Sequence, residues 1–158
     1  GSWFSGKFAG AELPLLSEAL SAVPEGKTIN IEIKKTARDE REIEKKLLKC
    51  IRDSGHFSNI IVSSFNHKSV ALIRSLEPEL KTALIVSSLF ADPMRYFGDF
   101  SCYSIHPAFF YVDRQLVDVL HSNNIKIYPW VVDIPSYAKA LTDMGCDGII
   151  SNNPSISF

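Results

Sequence analysis

The sequence predicts an α/β protein of the (β/α)8 TIM-barrel type, in which parallel strands alternate with helices. Six short apolar runs recur every roughly 20 to 30 residues, each separated from the next by enough chain for a turn or a helix. The run 29–34 alternates strictly, so its isoleucines share one strand face while Asn30, Glu32 and Lys34 share the other. No glycine-rich phosphate loop follows any strand, which favours a barrel over a doubly wound sheet.

The first half of the chain is predicted to form two strands and three helices. Pro14, near the start of a leucine-rich stretch, is typical of a short helix. Thr36 followed by Asp39 resembles a capping box, which predicts that a second helix begins there and ends near Gly55. The predicted elements are a helix over 13–20, a strand over 29–34, a helix over 36–55, a strand over 59–65 and a helix over 68–76.

The second half is predicted to continue this alternation to the end of the chain. An apolar stripe at helical spacing predicts a helix over 114–122, with Asn124 in the left-handed cap position. Asp133, shortly before a proline, predicts the start of a last helix, which Gly145 ends. The remaining elements are strands over 82–87, 104–106, 125–132 and 148–151, and a long loop with one turn of helix over 88–102.

The composition fits one domain over residues 1–158 and excludes several classes of protein. With 46% apolar and 22% charged residues, the chain can bury a core. A formal net charge of -1 offers no field for a polyanion, which argues against nucleic-acid binding. Three widely spaced cysteines form no disulfide scaffold and indicate a reducing, cytoplasmic compartment. No apolar stretch reaches the roughly 20 residues of a transmembrane segment.

Residues at the carboxyl ends of the predicted strands are the candidates for a functional site, because barrels and doubly wound sheets both bind ligands there. Glu32 and Lys34 offer a carboxylate beside an ammonium, although an ordinary solvated strand face would also explain them. A one-residue error of register would exchange Lys34 with Lys35. Trp130 is either a core aromatic residue or a wall of the site. The other candidates at this edge are Ser64, Phe65, His106 and Asn152.

His106 is the only histidine predicted at the carboxyl end of a strand. That position makes it the first candidate for a general base, should the chain be active as it stands. The alternative interpretation is a hydrogen-bonded wall residue. His67, by contrast, is expected to start a helix.

Five segments in order resemble the glycerophosphodiester phosphodiesterase family, a (β/α)8 barrel. Any one of them would be a weak signal, but the ordered set with compatible gaps covers nearly the whole chain. The segments are GSWFSGKFAG with LPLLSEAL at 1–20, NIEIK at 30–34, VSSF at 62–65, YPWVVD at 128–133 and GCDGIISNNP at 145–154.

The resemblance implies hydrolysis of a glycerophosphodiester to glycerol 3-phosphate and an alcohol, assisted by a divalent cation, Mg²⁺ or Ca²⁺. On this sequence Glu32 matches the family's metal-binding glutamate and Lys34 the lysine that reaches the phosphate. Trp130 matches the aromatic residue that faces the glycerol or alcohol group. We expect Ser64 and Phe65 at the same edge to contact the substrate.

The chain departs from the family pattern upstream of these segments. The family's His-Arg-Gly, Glu-x-Asp and His-Asp segments have no counterpart here, so an acid, a base and two of three metal carboxylates are missing. We therefore expect strands three to eight of the barrel, a chain inactive alone, and upstream sequence that was removed, cleaved or left out of the record. The open edges of such an incomplete barrel would favour pairing with another copy.

Two other functions fit the same residues. A degenerate, non-catalytic barrel would bind a phosphorylated ligand, or pair through its edges, without turnover. An unrelated aldolase-like barrel would use Lys34 as a Schiff-base nucleophile, although the neighbouring Glu32 opposes the lowered lysine pKa which that chemistry needs.

Overall fold

A parallel sheet of five strands organises the computed structural model, which describes residues 1–39 and 41–156. Its strands are neighbours in chain order, and each pairing is parallel. The strands are β1 (Ile29–Glu32), β2 (Ile60–Ser64), β3 (Lys81–Val86), β4 (Ser104–Pro107) and β5 (Lys126–Ile127). The helices are α1 (Leu16–Ser21), α2 (Ile43–Asp53), α3 (His67–Leu76), α4 (Pro93–Phe97), α5 (Arg114–Ser122) and α6 (Pro135–Asp143).

One face of the sheet packs against helices. Leu84 of β3, Ile105 of β4 and Ile127 of β5 are fully buried in one cluster with Val117 and Leu120 of α5. Because side chains alternate along a strand, the residues between them face the opposite, inner side.

β1 follows the same rule through a second apolar cluster. Ile33, just beyond the strand, is buried together with Leu47, Leu48 and Ile51 of α2. The isoleucine face predicted from the sequence is therefore the helix face. Glu32 lies on the inner face by alternation.

The strand register aligns inner residues of neighbouring strands into one row. In register order the row contains Glu32, Ser63, Ala83, Ser104 and Lys126. His106 lies two residues beyond Ser104 along β4, nearer the carboxyl edge, where it pairs with Ile85.

The predicted capping box at Thr36 is wrong. α2 begins only at Ile43, after Glu42 in a left-handed conformation with φ 51°. Thr36 instead accepts a backbone hydrogen bond from Asp39 N at 3.3 Å. The Asp39 carboxylate binds the Arg41 guanidinium, so both described residues make local contacts before the helix begins.

Of the two last predicted strands, one is shorter than expected and the other is absent from the described residues. β5 ends at Ile127, although a bridge between Ala108 and Trp130 continues the alignment beyond Pro129, which has no N–H to donate. The stretch 148–151 is not a β-strand, but Ile150 N donates to Pro129 O at 2.8 Å. This stretch therefore runs beside the segment after β5.

Other predicted elements agree with the structure. α5 spans the predicted residues, and Asn124 follows it with φ 57°. The irregular stretch 88–102 holds the short α4. Among the described residues, no helix has the length and apolar character to cross a membrane.

Candidate functional site

Glu32 and Lys34 form an ion pair at the carboxyl end of β1. Lys34 Nζ lies 2.8 Å from Glu32 Oε1, and the side chain of Lys34 is 80% exposed while that of Glu32 is 29% exposed. The pair therefore presents an accessible ammonium beside a partly shielded carboxylate. Both charges are available to a ligand that approaches this edge.

The structure distinguishes Lys34 from its neighbour. Lys35 Nζ lies 2.9 and 3.0 Å from the two carboxylate oxygens of Glu44, at the start of α2. Glu44 is only 1% exposed. Lys35 thus faces the helices, and Lys34 is the lysine on the side of Glu32.

Phe65 and Trp130 come together to form an aromatic wall at the same edge. Their ring centroids lie 5.5 Å apart with an interplanar angle of 84°, an edge-to-face contact. Trp130 Nε1 donates to the carbonyl oxygen of His106 at 2.8 Å, which fixes the indole. Phe65 remains 53% exposed, so the wall has one side open to solvent.

His106 is buried at the inner face of β4. Its Nε2 lies 3.0 Å from Ser104 Oγ, and its ring meets Tyr128 edge-on with centroids 5.5 Å apart. Burial lowers the pKa of His106 to about 4, so the imidazole is neutral at pH 7. Nδ1 is buried and has no hydrogen-bond partner among the described residues.

Ser64 is fully buried and makes structural contacts. Its Oγ donates to Ile33 O at 2.7 Å and accepts from Asn66 N at 2.9 Å. It shares the helix face of β2 with Val62, which packs in the cluster under α2. This hydroxyl supports the loop rather than facing the Glu32–Lys34 pair.

The sequence pattern brings Ser63 to this edge together with Ser64 and Phe65, but it did not single out Ser63 as a site residue. Ser63 pairs with Glu32 in the sheet, and its buried Oγ has no hydrogen-bond partner in the part of the chain that the structure describes. The available signal was the alternation of β2: once Val62 faces the helices, Ser63 must face inward.

Asp133 has a role that differs from the predicted helix start. Its carboxylate accepts from Asn152 Nδ2 at 2.9 Å, from Asn152 N at 2.8 Å and from Ser151 Oγ at 2.9 Å. These hydrogen bonds, led by those from Asn152, hold the pKa of Asp133 below its usual range. Asn152 is thereby tied to the segment that follows Trp130, while α6 starts at Pro135.

The comparison with known families decides the identity of the chain. A model described as the glycerophosphoryl diester phosphodiesterase family matches residues 1–156. The chain belongs to this family. The resemblance carried by the five ordered segments is confirmed.

Members of the family resemble this chain over most of its length. A glycerophosphodiester phosphodiesterase of Caldanaerobacter subterraneus subsp. tengcongensis is 33% identical over 96% of this chain and 63% of its own length. A glycerophosphodiester phosphodiesterase of Bacillus altitudinis is 30% identical over 90% of this chain and 60% of its own length. The chain thus spans less than two thirds of these relatives.

Solved structures of phosphodiesterases share the fold. A phosphodiesterase of Oleispira antarctica, in complex with the product sn-glycerol-3-phosphate, matches with a TM-score of 0.87 at 22% identity, over 98% of this chain and 63% of that one. A glycerophosphodiester phosphodiesterase from Agrobacterium tumefaciens matches with a TM-score of 0.80 at 18% identity, over 99% and 65%. The TIM-barrel type fold predicted from the sequence is confirmed.

The part of the inner face that the structure describes has too few carboxylates to bind a divalent cation by itself. Within residues 1–39 and 41–156, no group of three or more His, Cys, Asp or Glu side chains has the geometry to hold a metal ion. Mg²⁺ and Ca²⁺ prefer about six or more oxygen ligands. On the inner face Glu32 supplies one carboxylate, so these residues do not form a complete cation site.

Proposed function

We propose that the protein takes part in hydrolysis of glycerophosphodiesters to glycerol 3-phosphate and an alcohol. The observation that carries this proposal is the Glu32–Lys34 pair at the carboxyl edge of β1 in a chain of this family. Two further findings support it. The curated relatives named above are glycerophosphodiester phosphodiesterases, and the Oleispira antarctica structure holds sn-glycerol-3-phosphate.

Lys34 is the proposed phosphate-binding residue. Its ammonium is largely exposed, and its partner Glu32 lies on the same face of the strand. A phosphodiester carries a negative charge that increases on the transferring group during hydrolysis, and a positioned cation stabilises it. Lys34 would therefore bind the substrate and favour the transition state.

Phe65 and Trp130 are the proposed contacts for the glycerol or alcohol group. The edge-to-face pair and the Trp130 hydrogen bond give a fixed apolar surface with one exposed side. Such a surface excludes water from the phosphate, which strengthens the electrostatic interactions there. The buried hydroxyl of Ser64 is engaged with Ile33 O and Asn66 N, so we leave it out of this surface.

We propose a divalent cation, Mg²⁺ or Ca²⁺, with Glu32 as one of its ligands. A carboxylate is the hard oxygen ligand that both ions prefer. In such enzymes the cation stabilises negative charge on the phosphate. The remaining ligands would have to come from beyond the residues that the structure describes.

We propose no acid or base among the described histidines. His106 is buried, and both ring nitrogens of His67 are engaged, with Tyr96 Oη at 2.7 Å and Ile85 O at 2.9 Å. His121 Nε2 lies 3.0 Å from the Asp147 carboxylate, and His56 precedes β2, at the end of that strand opposite to the carboxyl edge. We therefore expect residues 1–158 alone to bind the phosphate group without turnover.

The test is hydrolysis of glycerophosphocholine by the whole protein that contains these residues, followed as release of sn-glycerol 3-phosphate. We expect release with Mg²⁺ or Ca²⁺ and its loss on chelation. Lys34→Ala should lower kcat/KM by about 100-fold, because one positioned charge on the reacting group is removed. Lys49→Ala is the matched control, since Lys49 is an exposed lysine paired with Asp53 on α2. No release from glycerophosphocholine and similar diesters with either cation would overturn the proposal.

A phosphate-binding protein without catalysis is the second candidate. The engaged or buried imidazoles favour it. It predicts saturable binding of sn-glycerol 3-phosphate that Lys34→Ala weakens, with no hydrolysis. An aldolase-like use of Lys34 fits poorly, because a Schiff-base lysine has to be desolvated and Lys34 is exposed and ion-paired.

A further inference from the structure

Glu44 is a buried carboxylate that lies outside the proposed phosphate site. It accepts hydrogen bonds from Lys35 Nζ at 2.9 and 3.0 Å and from Ser69 Oγ at 2.5 Å. Burial raises the pKa of Glu44, but the hydrogen bonds from Lys35 and Ser69 outweigh burial and lower it. Glu44 is therefore ionised at neutral pH. A buried charge is tolerated only when it is paired in this way.

The contact with Lys35 fixes the backbone directly after Lys34. The backbone before Lys34 is fixed as well, since Ile33 N donates to Ser63 O at 2.8 Å and Ser64 Oγ donates to Ile33 O at 2.7 Å. Lys34 Nζ lies 2.8 Å from Glu32 Oε1, whereas Lys35 Nζ lies 2.9 Å from Glu44 Oε1, so the two adjacent lysines have different partners. With Lys35 held toward the helices, Lys34 is directed to the side of Glu32.

The same contact joins the segment that carries Phe65. Ser69, the second donor to Glu44, lies in the first turn of α3, and its backbone N–H donates to Asn66 Oδ1 at 3.3 Å. Asn66 N in turn donates to Ser64 Oγ at 2.9 Å. Glu44 thus links the residue after Lys34 to the loop that contains Phe65.

We propose that Glu44, acting through Lys35, is a positioning residue for Lys34. This inference rests on the proposed function, in which Lys34 binds the substrate phosphate. Glu44 itself does not touch the substrate. A displacement of about 1 Å in a group that contacts the reacting atoms is enough to lower the rate by as much as about 100-fold.

The test uses the whole protein with Glu44→Gln, which keeps the shape of the side chain and removes its charge. We expect KM for glycerophosphocholine and Kd for sn-glycerol 3-phosphate to rise by about tenfold or more, because Lys34 loses its fixed direction. Lys35→Arg keeps the ion pair and should retain most of the activity. Glu42→Gln is the matched control, since Glu42 is an exposed glutamate paired with Lys45 at the same helix start.

A double-mutant cycle separates positioning from general stability. In the Lys34→Ala background, Glu44→Gln should change kcat/KM and Kd by a much smaller factor than in the wild type, because the main group that Glu44 positions is gone. The same fold-loss in both backgrounds would overturn the inference while leaving the proposed function intact. Thermal unfolding shows whether each variant is folded at the assay temperature.

The binding measurement keeps the two proposals distinguishable. If the wild type binds sn-glycerol 3-phosphate without hydrolysing the diester, the catalytic proposal fails. The double-mutant cycle measured on Kd for sn-glycerol 3-phosphate then still tests the role of Glu44. If the wild type shows neither hydrolysis nor binding, both proposals are wrong.

Discussion

Lys34 and Lys35 are chemically alike, yet their surroundings give them different roles. The Lys34 side chain is 80% exposed beside Glu32, whereas that of Lys35 is 16% exposed and paired with buried Glu44. The difference follows from their partners, since Lys34 Nζ contacts Glu32 and Lys35 Nζ contacts Glu44 of α2. An accessible cation and a largely shielded cation therefore occupy adjacent positions.

The buried His106 should make stability depend on pH. Its pKa in the folded protein is about 4, against an ordinary value of 6.5, because burial disfavours the imidazolium. Between these values the unfolded chain binds a proton that the folded chain does not. The free energy of unfolding should therefore fall by about 3 kcal/mol as the pH drops from 6.5 to about 4.

The measurement is urea unfolding of the wild type and of His106→Gln across this pH range. The variant should lose the pH dependence that His106 supplies, whatever its stability at pH 7. His56→Gln, at a position away from β4, is the control and should keep the wild-type slope. A His106→Gln curve parallel to the wild type would contradict the prediction.

At the scale of elements, helix starts depend on which side chain accepts the first free backbone N–H groups. Asp113, Asn66 and Asp92 do so for α5, α3 and α4 respectively. α2 lacks such a side-chain cap, since its N-cap residue Glu42 makes no hydrogen bond of that kind. The apolar stripe of α5 predicted its bounds correctly, whereas α2 was predicted to begin at Thr36 and begins at Ile43.

Removal of the α5 cap should destabilise the protein. Asp113 Oδ1 accepts from Leu116 N at 2.8 Å. Asp113→Ala should lower the free energy of unfolding by about 1 kcal/mol, because this N–H loses its partner. Asp118→Ala, an exposed aspartate in the same helix, is the matched control for charge. Equal losses for the two variants in urea unfolding would show that the cap is not responsible.

At the scale of the whole molecule, α3 joins the two apolar clusters that lie against the sheet. Val70 packs in the cluster with β4 and α5, and Ile73 packs in the cluster with β1 and α2. A single helix thus buries residues in both parts of the core. The strands that carry the proposed site therefore pack against apolar clusters that α3 connects.

Truncating a side chain of α3 to alanine should destabilise the protein strongly at Ile73 and only mildly at Leu72. Ile73 is fully buried, so Ile73→Ala should lower the free energy of unfolding by about 2 to 5 kcal/mol through lost burial and a cavity. Leu72, its neighbour, is 40% exposed, and Leu72→Ala should cost clearly less. Denaturant unfolding of both variants tests this, and comparable losses would contradict the core assignment.

The sequence by itself determined the alternation of strands and helices, the shared face of Glu32 and Lys34, and the family. These depend on periodicity and on ordered local segments, which the covalent chain sets directly. Only the tertiary structure decided that Lys35 pairs with Glu44, that Ser63 rather than Ser64 faces inward, and that Phe65 meets Trp130. Such contacts join segments far apart in the chain, so they depend on strand register and helix packing, which no local pattern encodes.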